Sequence, residues 1–224
     1  MIPWKQLDST ATPDGKNEVV LLQRDQEFSI RVDGQELMNS RMNGSEKVLA
    51  KLACKPISQR QGAKVVIGGL GMGFTLASAL VHLQSHATVI QVELLPAMVQ
   101  WHDQFLGHLC DHAVKDGRVE VVTQDIVHYL NTEKQTFDAI ILDVDNGPEG
   151  LTQAGNNNLY NGAGIGMLKR RLTPGGILAV WSAKDSAPFT QRLKSAGFDA
   201  RVHTVYARPN NKGGRHTIWI ATAR

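Results

Sequence analysis

The amino-acid sequence predicts an α/β fold with three layers: a mostly parallel sheet of about seven strands, a C-terminal antiparallel hairpin and a small N-terminal β element. From residue 63 onward, short and almost wholly apolar segments alternate with segments of helical periodicity. Strands that are apolar on both faces are typical of a parallel sheet covered by helices on both sides. A glycine-rich turn also stands between the first of these strands and the helix that follows it.

The beginning of the chain is predicted to form β structure. Runs rich in β-forming residues lie at 19–25, 28–34 and 36–40. Residues 45–55 then show the apolar spacing of an amphipathic helix, for which Ser45 suits an N-cap and Pro56 marks the end. We therefore divide the chain into a small N-terminal β region, residues 1–50, and a larger catalytic domain, residues 51–224.

The larger region is predicted to alternate strands and helices. Its strands are expected at 63–69, 87–94, 119–125, 137–145 and 175–183. Its helices are expected at 74–84, 96–110, 126–131, 164–172 and 188–197. Two last strands, 199–208 and 215–223, flank the turn PNNKGG and predict an antiparallel hairpin.

Composition excludes several classes of function. The 224 residues are 42% hydrophobic and 20% charged, as in ordinary globular proteins. The net charge of +3 is too small for an electrostatic grip on nucleic acid or on a membrane surface. No stretch approaches the ~20 apolar residues needed to cross a bilayer, and no secretory signal is visible. The two cysteines, Cys54 and Cys110, and the scattered histidines show no metal-ligand spacing, so we expect no metal and a cytoplasmic location.

The sharpest local signal is the glycine-rich segment GGLGMG, from Gly68 to Gly73. A strand–glycine turn–helix lets the backbone approach a ligand closely and directs free helix N–H groups toward it. Glu93 ends the next strand, 20 residues after Gly73, where a carboxylate can accept hydrogen bonds from both hydroxyls of a ribose. We predict nucleotide contacts at Gly68, Gly69, Gly71, Gly73 and Glu93. The alternative is a tight turn in which Glu93 caps a helix.

Three aspartates follow the next strands. Asp125 ends the third strand, where it can accept a hydrogen bond from an adenine amine, cap the following helix, or do both. Asp143 and Asp145 follow the apolar strand DAIIL at the carboxyl edge of the predicted sheet, where open α/β sheets bind ligands. Two carboxylates there suit a cationic substrate or the deprotonation of an amine. The segment 146–160 is rich in turn residues and is either a lid over this site or a solvated connection.

The order of these motifs resembles the Rossmann-like fold of AdoMet-dependent methyltransferases, and more narrowly the spermidine synthase family of aminopropyltransferases. The resemblance is carried by residues 63 to 182, in the segments GGLGMG, VEL, VVTQD, FDAIILDVDNGP and LKRRLTPGGILAVWS. It implies a ribose contact for Glu93, an adenine contact for Asp125 and proton abstraction from the attacking amine by Asp143. Asp145 could stand in for the second aspartate of the family's DSSDP segment. Glu46 matches the glutamate of the family's Tyr-His-Glu segment.

Two departures from the family pattern bear on specificity. The family's glycine loop reads GGGDGG, with an aspartate near the ammonium end of the decarboxylated donor, and Gly71 stands at that position here. Loss of this anion weakens recognition of an ammonium and removes repulsion against the carboxylate of intact AdoMet. The family's tyrosine before His-Glu is also absent, because this stretch reads Gly44-Ser45.

The sequence therefore predicts a bacterial transferase that uses AdoMet or decarboxylated AdoMet as co-substrate and transfers an alkyl (aminopropyl) group to a small amine. Asp143 and Asp145 are the predicted catalytic residues, and Glu46 and Asp145 are predicted to neutralise a cationic acceptor. A small-molecule methyltransferase that uses intact AdoMet is the alternative, favoured by Gly71. A non-catalytic nucleotide-binding homologue is a further alternative. The resemblance also implies a homodimer.

Overall fold

The computed structural model describes residues 2–144, 148, 157–208 and 212–224. Its first element is a four-stranded antiparallel sheet in the order β1-β2-β3-β4. These strands are β1 (Lys5–Ala11), β2 (Glu18–Arg24), β3 (Glu27–Val32) and β4 (Gln35–Asn39). The last three match the predicted β runs. Strand β1 was not predicted from its sequence, KQLDSTA, because it is an edge strand with no fully buried side chain and so lacks an apolar alternation.

The main sheet has seven strands in the order β10-β11-β9-β8-β5-β6-β7. They are β5 (Lys64–Gly68), β6 (Thr88–Glu93), β7 (Val119–Thr123), β8 (Phe137–Leu142), β9 (Leu172–Ser182), β10 (Phe198–Arg208) and β11 (Lys212–Ala223). Strands β5 to β9 pair in parallel, whereas β11 is antiparallel to both β9 and β10. The predicted parallel sheet with a C-terminal hairpin is confirmed.

Helices cover both faces of this sheet. They are α1 (Gly44–Cys54), α2 (Phe74–His82), α3 (Pro96–Trp101), α4 (Ile126–Thr132), α5 (Asn157–Tyr160), α6 (Gly162–Arg170) and α7 (Ala187–Ser195). In β5 the buried side chains of Val65 and Ile67 join the core under α1 and α2, and Val66 joins the core under α4 and α6. Residues 65–67 of the strand are all apolar because both of its faces are covered.

The predicted helix 96–110 is not one regular helix. It is α-helical to Trp101, continues as a π turn at His102–Leu106 and ends as a 3₁₀ turn at Gly107–Cys110. The wider turn places the His102 ring against the carbonyl oxygen of Gly71 in the glycine-rich loop. Single π turns of this kind are frequent beside functional sites.

The four-stranded sheet packs against the glycine-rich loop and α3. Leu21 and Ile30 share one buried core with Met72, Phe74 and Trp101. The indole N–H of Trp101 donates a hydrogen bond of 2.7 Å to Asp8 in β1. The predicted division of the chain at residue 50 falls within α1. The N-terminal strands thus lie directly over one side of the predicted nucleotide site.

The chain order places a switch point at the centre of the main sheet. From β5 the chain first builds β6 and β7 on one side, and it then returns to build β8 and β9 on the other. The crevice between the carboxyl ends of β5 and β8 is where open α/β sheets bind their ligands. Within the described ranges, no helix has the length and apolarity needed to cross a bilayer.

Candidate active site

The glycine-rich loop lies against the segment that follows β8. Gly69 has φ of 88°, and a Cβ there would overlap the carbonyl oxygen of Asp143. The amide of Gly69 donates to the carbonyl oxygen of Val92 at 2.9 Å, and Gly73 closes the turn by donating to Leu70 at 2.8 Å. Only glycine fits position 69, because of both this close approach and its left-handed backbone. The loop and Asp143 are thereby brought into contact.

Glu93 braces the same loop from the end of β6. Its side chain is 7% exposed. One carboxylate oxygen accepts a hydrogen bond of 2.8 Å from the Leu70 amide, and the other accepts one of 2.9 Å from Leu95 at the start of α3. Burial raises the pKa of Glu93, and these amides oppose that rise. A carboxylate oxygen can accept more than one hydrogen bond, so the capping contact does not exclude the predicted ribose contact.

Two buried polar side chains that sequence reasoning missed support the loop. Gln91 is fully buried, and its amide nitrogen donates to the carbonyl oxygen of Gly69 at 2.9 Å. His102 Nε2 lies 2.9 Å from the carbonyl oxygen of Gly71. Burial lowers the pKa of His102, so the neutral ring with a proton on Nε2 suits this contact. A polar residue inside the apolar strand ATVIQVEL was the available signal for Gln91.

Asp125 follows β7, two strands away from β5 in the sheet. Its carboxylate caps α4 by accepting a hydrogen bond of 2.8 Å from the amide of His128. The structure therefore shows the N-cap that the sequence suggested, and the adenine contact stays a prediction. Gly68, Glu93 and Asp125 stand at or just beyond the carboxyl ends of three adjacent strands, along one edge of the sheet.

Asp143 follows β8 on the other side of the switch point. The Thr75 hydroxyl, at the start of α2, donates a hydrogen bond to its carboxylate. Thr75 is 3% exposed, and it lies only two residues beyond the glycine-rich loop. Thr75 was not selected from the sequence because threonine at the start of a helix is ordinary. The contact ties Asp143 to the helix that begins at the loop.

Asp143 and Glu46 form an interacting acidic pair. Burial raises the pKa of Asp143 to about 6. Burial, and then the negative charge of Asp143, raise the pKa of Glu46 to about 7. Two carboxyl groups that repel each other in this way take up their first proton close to neutral pH. The sequence resemblance had selected both residues, and the fold brings them together from β8 and α1.

Glu46 is linked through Ser45 to His216, a connection that the sequence did not indicate. The Ser45 hydroxyl donates a hydrogen bond of 2.6 Å to its carboxylate. The oxygen of the same hydroxyl lies 2.9 Å from Nδ1 of His216 in β11. Ser45 is not the N-cap that we expected: α1 begins at Gly44, and the N-cap position belongs to Asn43. The hydroxyl of Ser45 is therefore available for Glu46 and His216.

Neighbouring residues pack closely at Gly71 and Gly44, the two positions at which the sequence departs from the family pattern. A Cβ on Gly71 would lie 2.8 Å from the sulfur of Met38, which β4 places over the loop. A Cβ on Gly44 would lie 2.8 Å from the carbonyl carbon of Arg208 in β10. At both positions a neighbour occupies the space that a side chain would need. The region beside Gly71 is thus occupied by a thioether.

Part of the predicted site lies outside the described residues. The structure does not describe Asp145. Of the predicted lid or connection 146–160, it describes only Pro148 and helix α5. The roles of Asp145 and of this segment stay predictions. Within the described ranges, no cluster of three or more His, Cys, Asp or Glu side chains could hold a metal ion.

Comparison with known proteins identifies the family. The model of the spermine/spermidine synthase domain matches residues 48–205. Polyamine aminopropyltransferase 2 of Streptomyces coelicolor is 33% identical over 163 residues, which are 67% of this chain and 28% of that protein. Polyamine aminopropyltransferase 2 of Pseudomonas aeruginosa is 32% identical over 151 residues, 64% of this chain and 37% of that protein. The chain thus aligns with less than half the length of these curated relatives.

Solved structures share the fold over nearly the whole chain. A spermidine synthase in complex with the transition-state analogue AdoDATO superposes with a TM-score of 0.75 at 17% identity, over 98% of this chain and 73% of that chain. Spermidine synthase from Thermotoga maritima gives a TM-score of 0.74 at 16% identity, with the same coverage. Similarity at this level of identity concerns the fold, and the family model adds the sequence evidence. The chain is a member of the spermine/spermidine synthase family.

Proposed function

We propose that this protein is an aminopropyltransferase that moves the aminopropyl group of decarboxylated AdoMet to a small amine. The observation that carries the proposal is the pairing of Asp143 and Glu46 beside the glycine-rich loop. The glycine-rich loop, Glu93 and Asp125 lie along one edge of the sheet, and Asp143, which follows the neighbouring strand β8, interacts with Glu46. A cationic amine and an adenosine sulfonium would meet at that junction.

The reaction needs little from the protein besides positioning, because the sulfonium is already a good leaving group. The lone pair of the acceptor nitrogen forms the new C–N bond while the C–S bond breaks and its electrons return to sulfur. An amine is protonated at neutral pH and must lose a proton before it can attack. Asp143, whose pKa burial raises to about 6, is suited to accept that proton. Thr75 holds its carboxylate in place.

Glu46 supplies the second negative charge of the acceptor site. In the absence of a cation, the repulsion between Glu46 and Asp143 favours the protonated form of one of them. An incoming ammonium would relieve this repulsion, and both groups would then ionise. Recognition of a cationic acceptor is thus coupled to preparation of the base. The names of the relatives, polyamine aminopropyltransferases, support an amine acceptor.

Donor binding would rest on the glycine-rich loop, with Glu93 on the ribose and Asp125 near the adenine. The solved relative that holds AdoDATO supports a donor of this class. Asp145 is proposed to help bind the acceptor. We further propose that residues 1–50 are a small N-terminal β region beside a catalytic domain of residues 51–224. We also propose that the protein is a homodimer, whose mass gel filtration would measure.

The test is a donor titration followed by a turnover assay. Calorimetry with decarboxylated AdoMet, AdoMet and methylthioadenosine gives the donor preference. Release of methylthioadenosine in the presence of a panel of diamines then reports transfer. Asp143→Asn should lower turnover by a factor of about 100 or more while leaving donor binding nearly unchanged. An unchanged rate would contradict the role of Asp143. If none of the three nucleosides binds, the proposed donor site is wrong.

Methyl transfer from intact AdoMet is the second candidate, favoured by one observation. The sulfur of Met38 lies against Gly71, and the family's acidic residue is missing from this position. A thioether attracts an ammonium less than a carboxylate does, and it does not repel the carboxylate of AdoMet. Preferential binding of AdoMet, with release of adenosylhomocysteine in the presence of an acceptor, would establish this candidate in place of aminopropyl transfer.

A further inference from the structure

We propose that Ser45 and His216 form a proton relay that positions Glu46 and connects the acidic pair of the acceptor site to solvent. The inference rests on the proposed function for its catalytic meaning, whereas its geometry is independent of that function. Ser45 is fully buried between the two partners, at 2.6 Å from the Glu46 carboxylate and 2.9 Å from Nδ1 of His216. Both contacts have the length of ordinary hydrogen bonds.

The number of available protons determines the direction of the relay. Ser45 has a single O–H proton, which it donates to the Glu46 carboxylate. Its oxygen must then accept a hydrogen bond from His216, so the ring carries its proton on Nδ1 and leaves Nε2 bare. When Glu46 is protonated, the order reverses. Glu46 donates to Ser45, Ser45 donates to Nδ1, and the proton of the ring lies on Nε2.

The far side of the His216 ring faces the end of the C-terminal hairpin. A Cβ on Gly214 would lie 4.0 Å from Nε2, and Gly214 is exposed to solvent together with residues 212–215 around it. The Trp181 and His216 rings pack edge to face, with ring centroids 4.7 Å apart. Trp181 thus fixes the ring plane, and Nε2 is the nitrogen that can exchange its proton with water.

Groups from three parts of the chain set the protonation of the relay. On α1, Lys47 lowers the pKa of Glu46, although its effect is smaller than those of burial and of Asp143. Asp143, which follows β8, repels a negative charge on Glu46. On β11, burial lowers the pKa of His216, so the ring is neutral at neutral pH. The charge on Glu46 is therefore the one that changes near pH 7.

When a cationic acceptor binds, the relay would carry one proton outward. Before binding, Glu46 is protonated, the ring carries its proton on Nε2 and Nδ1 is free to accept; the positive charge of the acceptor then favours the Glu46 carboxylate. Transfer from Glu46 to Ser45, and from Ser45 to Nδ1, regenerates the Glu46 carboxylate and leaves an imidazolium. Release of the Nε2 proton to water returns the ring to the neutral form with a proton on Nδ1. The net change is one proton moved from the acceptor site to solvent.

Nitrogen-15 NMR of the histidine rings tests the relay without an activity assay. His216→Asn assigns the signals by their disappearance. At pH 8 we expect the ring in the form with a proton on Nδ1. Through about pH 7 to 6 we expect a change toward the form protonated on Nε2. Ser45→Ala should abolish this change and leave only the titration of the ring itself. A proton on Nε2 at pH 8, or the same titration in Ser45→Ala, would overturn the proposal.

The acidic limb of the pH profile of kcat/KM for the acceptor provides the second readout. Loss of the Ser45 hydroxyl removes a hydrogen bond to a charged carboxylate, so Ser45→Ala should move the limb upward by about one pH unit. Ser78→Ala is the matched control, since its hydroxyl also contacts α1, at the carbonyl oxygen of Lys47. The control should leave the limb in place. A lower kcat with an unmoved limb in Ser45→Ala indicates a merely structural role and overturns the proposal.

These two readouts separate the failure of the relay from the failure of the proposed function. An inactive wild-type protein that shows the coupled NMR change keeps the relay and excludes aminopropyl transfer. An active protein that lacks this change keeps the transferase and excludes the relay.

Discussion

Replacing Asp143 by asparagine should make the protein more stable at alkaline pH while lowering the proposed turnover by a factor of about 100 or more. Burial raises the pKa of Asp143 from 3.8 to about 6. A carboxyl group with a raised pKa favours folding in its protonated form, so its contribution to stability is present below pH 3.8 and is lost as the pH rises through 6. Asparagine has a similar shape, carries no charge and can still accept the hydrogen bond of Thr75.

The size of the effect follows from the shift in pKa. A shift of about two units corresponds to about 3 kcal/mol at pH 8, and only about 1 kcal/mol of this penalty is present at pH 4.5. Urea denaturation at both pH values measures it. With a typical m-value of about 2 to 3 kcal/mol per molar, the midpoint at pH 8 should rise by about 1 M urea.

Asp138→Asn is the matched control, because Asp138 is the second residue of β8 and Asp143 follows the other end of the same strand. Burial favours a higher pKa for Asp138, but hydrogen bonds from the Lys64 amide and from Arg60 and Thr173 outweigh it and lower the pKa. Its contribution to stability is therefore present above its ordinary pKa and is lost as the pH falls. Asp138→Asn should destabilise the protein at pH 8. If Asp143→Asn also destabilises it at pH 8, the reasoning about Asp143 is refuted.

Three further predictions follow from packing and hydrogen bonding around the site. Gly69→Ala should lower the free energy of unfolding by at least about 2 kcal/mol in urea denaturation and weaken donor binding in calorimetry, because its Cβ overlaps the Asp143 carbonyl and its φ is positive. Thr75→Val should raise the acidic limb of the acceptor pH profile by about one unit, whereas Thr75→Ser should leave it unmoved. Gly44→Ala should lower the thermal midpoint by forcing α1 away from the backbone of β10; Gly162→Ala, at an open helix start, should leave it equal or higher. A stable Gly69→Ala, an unmoved limb in Thr75→Val, or equal midpoints for the two last variants would contradict the respective argument.

The sequence by itself determined the order of the elements and the local motifs of the site. Hydrophobic periodicity separated the buried parallel strands from the amphipathic helices, since it depends only on neighbours within a few residues. The glycine-rich turn, and the positions of Glu93, Asp125 and Asp143 at strand ends, followed from the same local pattern. The polar edge strand β1 escaped this reasoning because no buried face gives it a period.

Contacts between distant segments were decided only by the tertiary structure. Ser45 and His216 are 171 residues apart, and Thr75 and Asp143 are 68 residues apart. The contact between Met38 and Gly71 depends on how the N-terminal sheet packs over the loop. Such pairs arise from the order of strands in the sheet and from the packing of α1 and α2 upon it, which no local pattern encodes. The motifs of this family could therefore be recognised in the sequence. The distant partners of the Asp143 and Glu46 sites, Thr75 and His216, could be identified only from the packed fold.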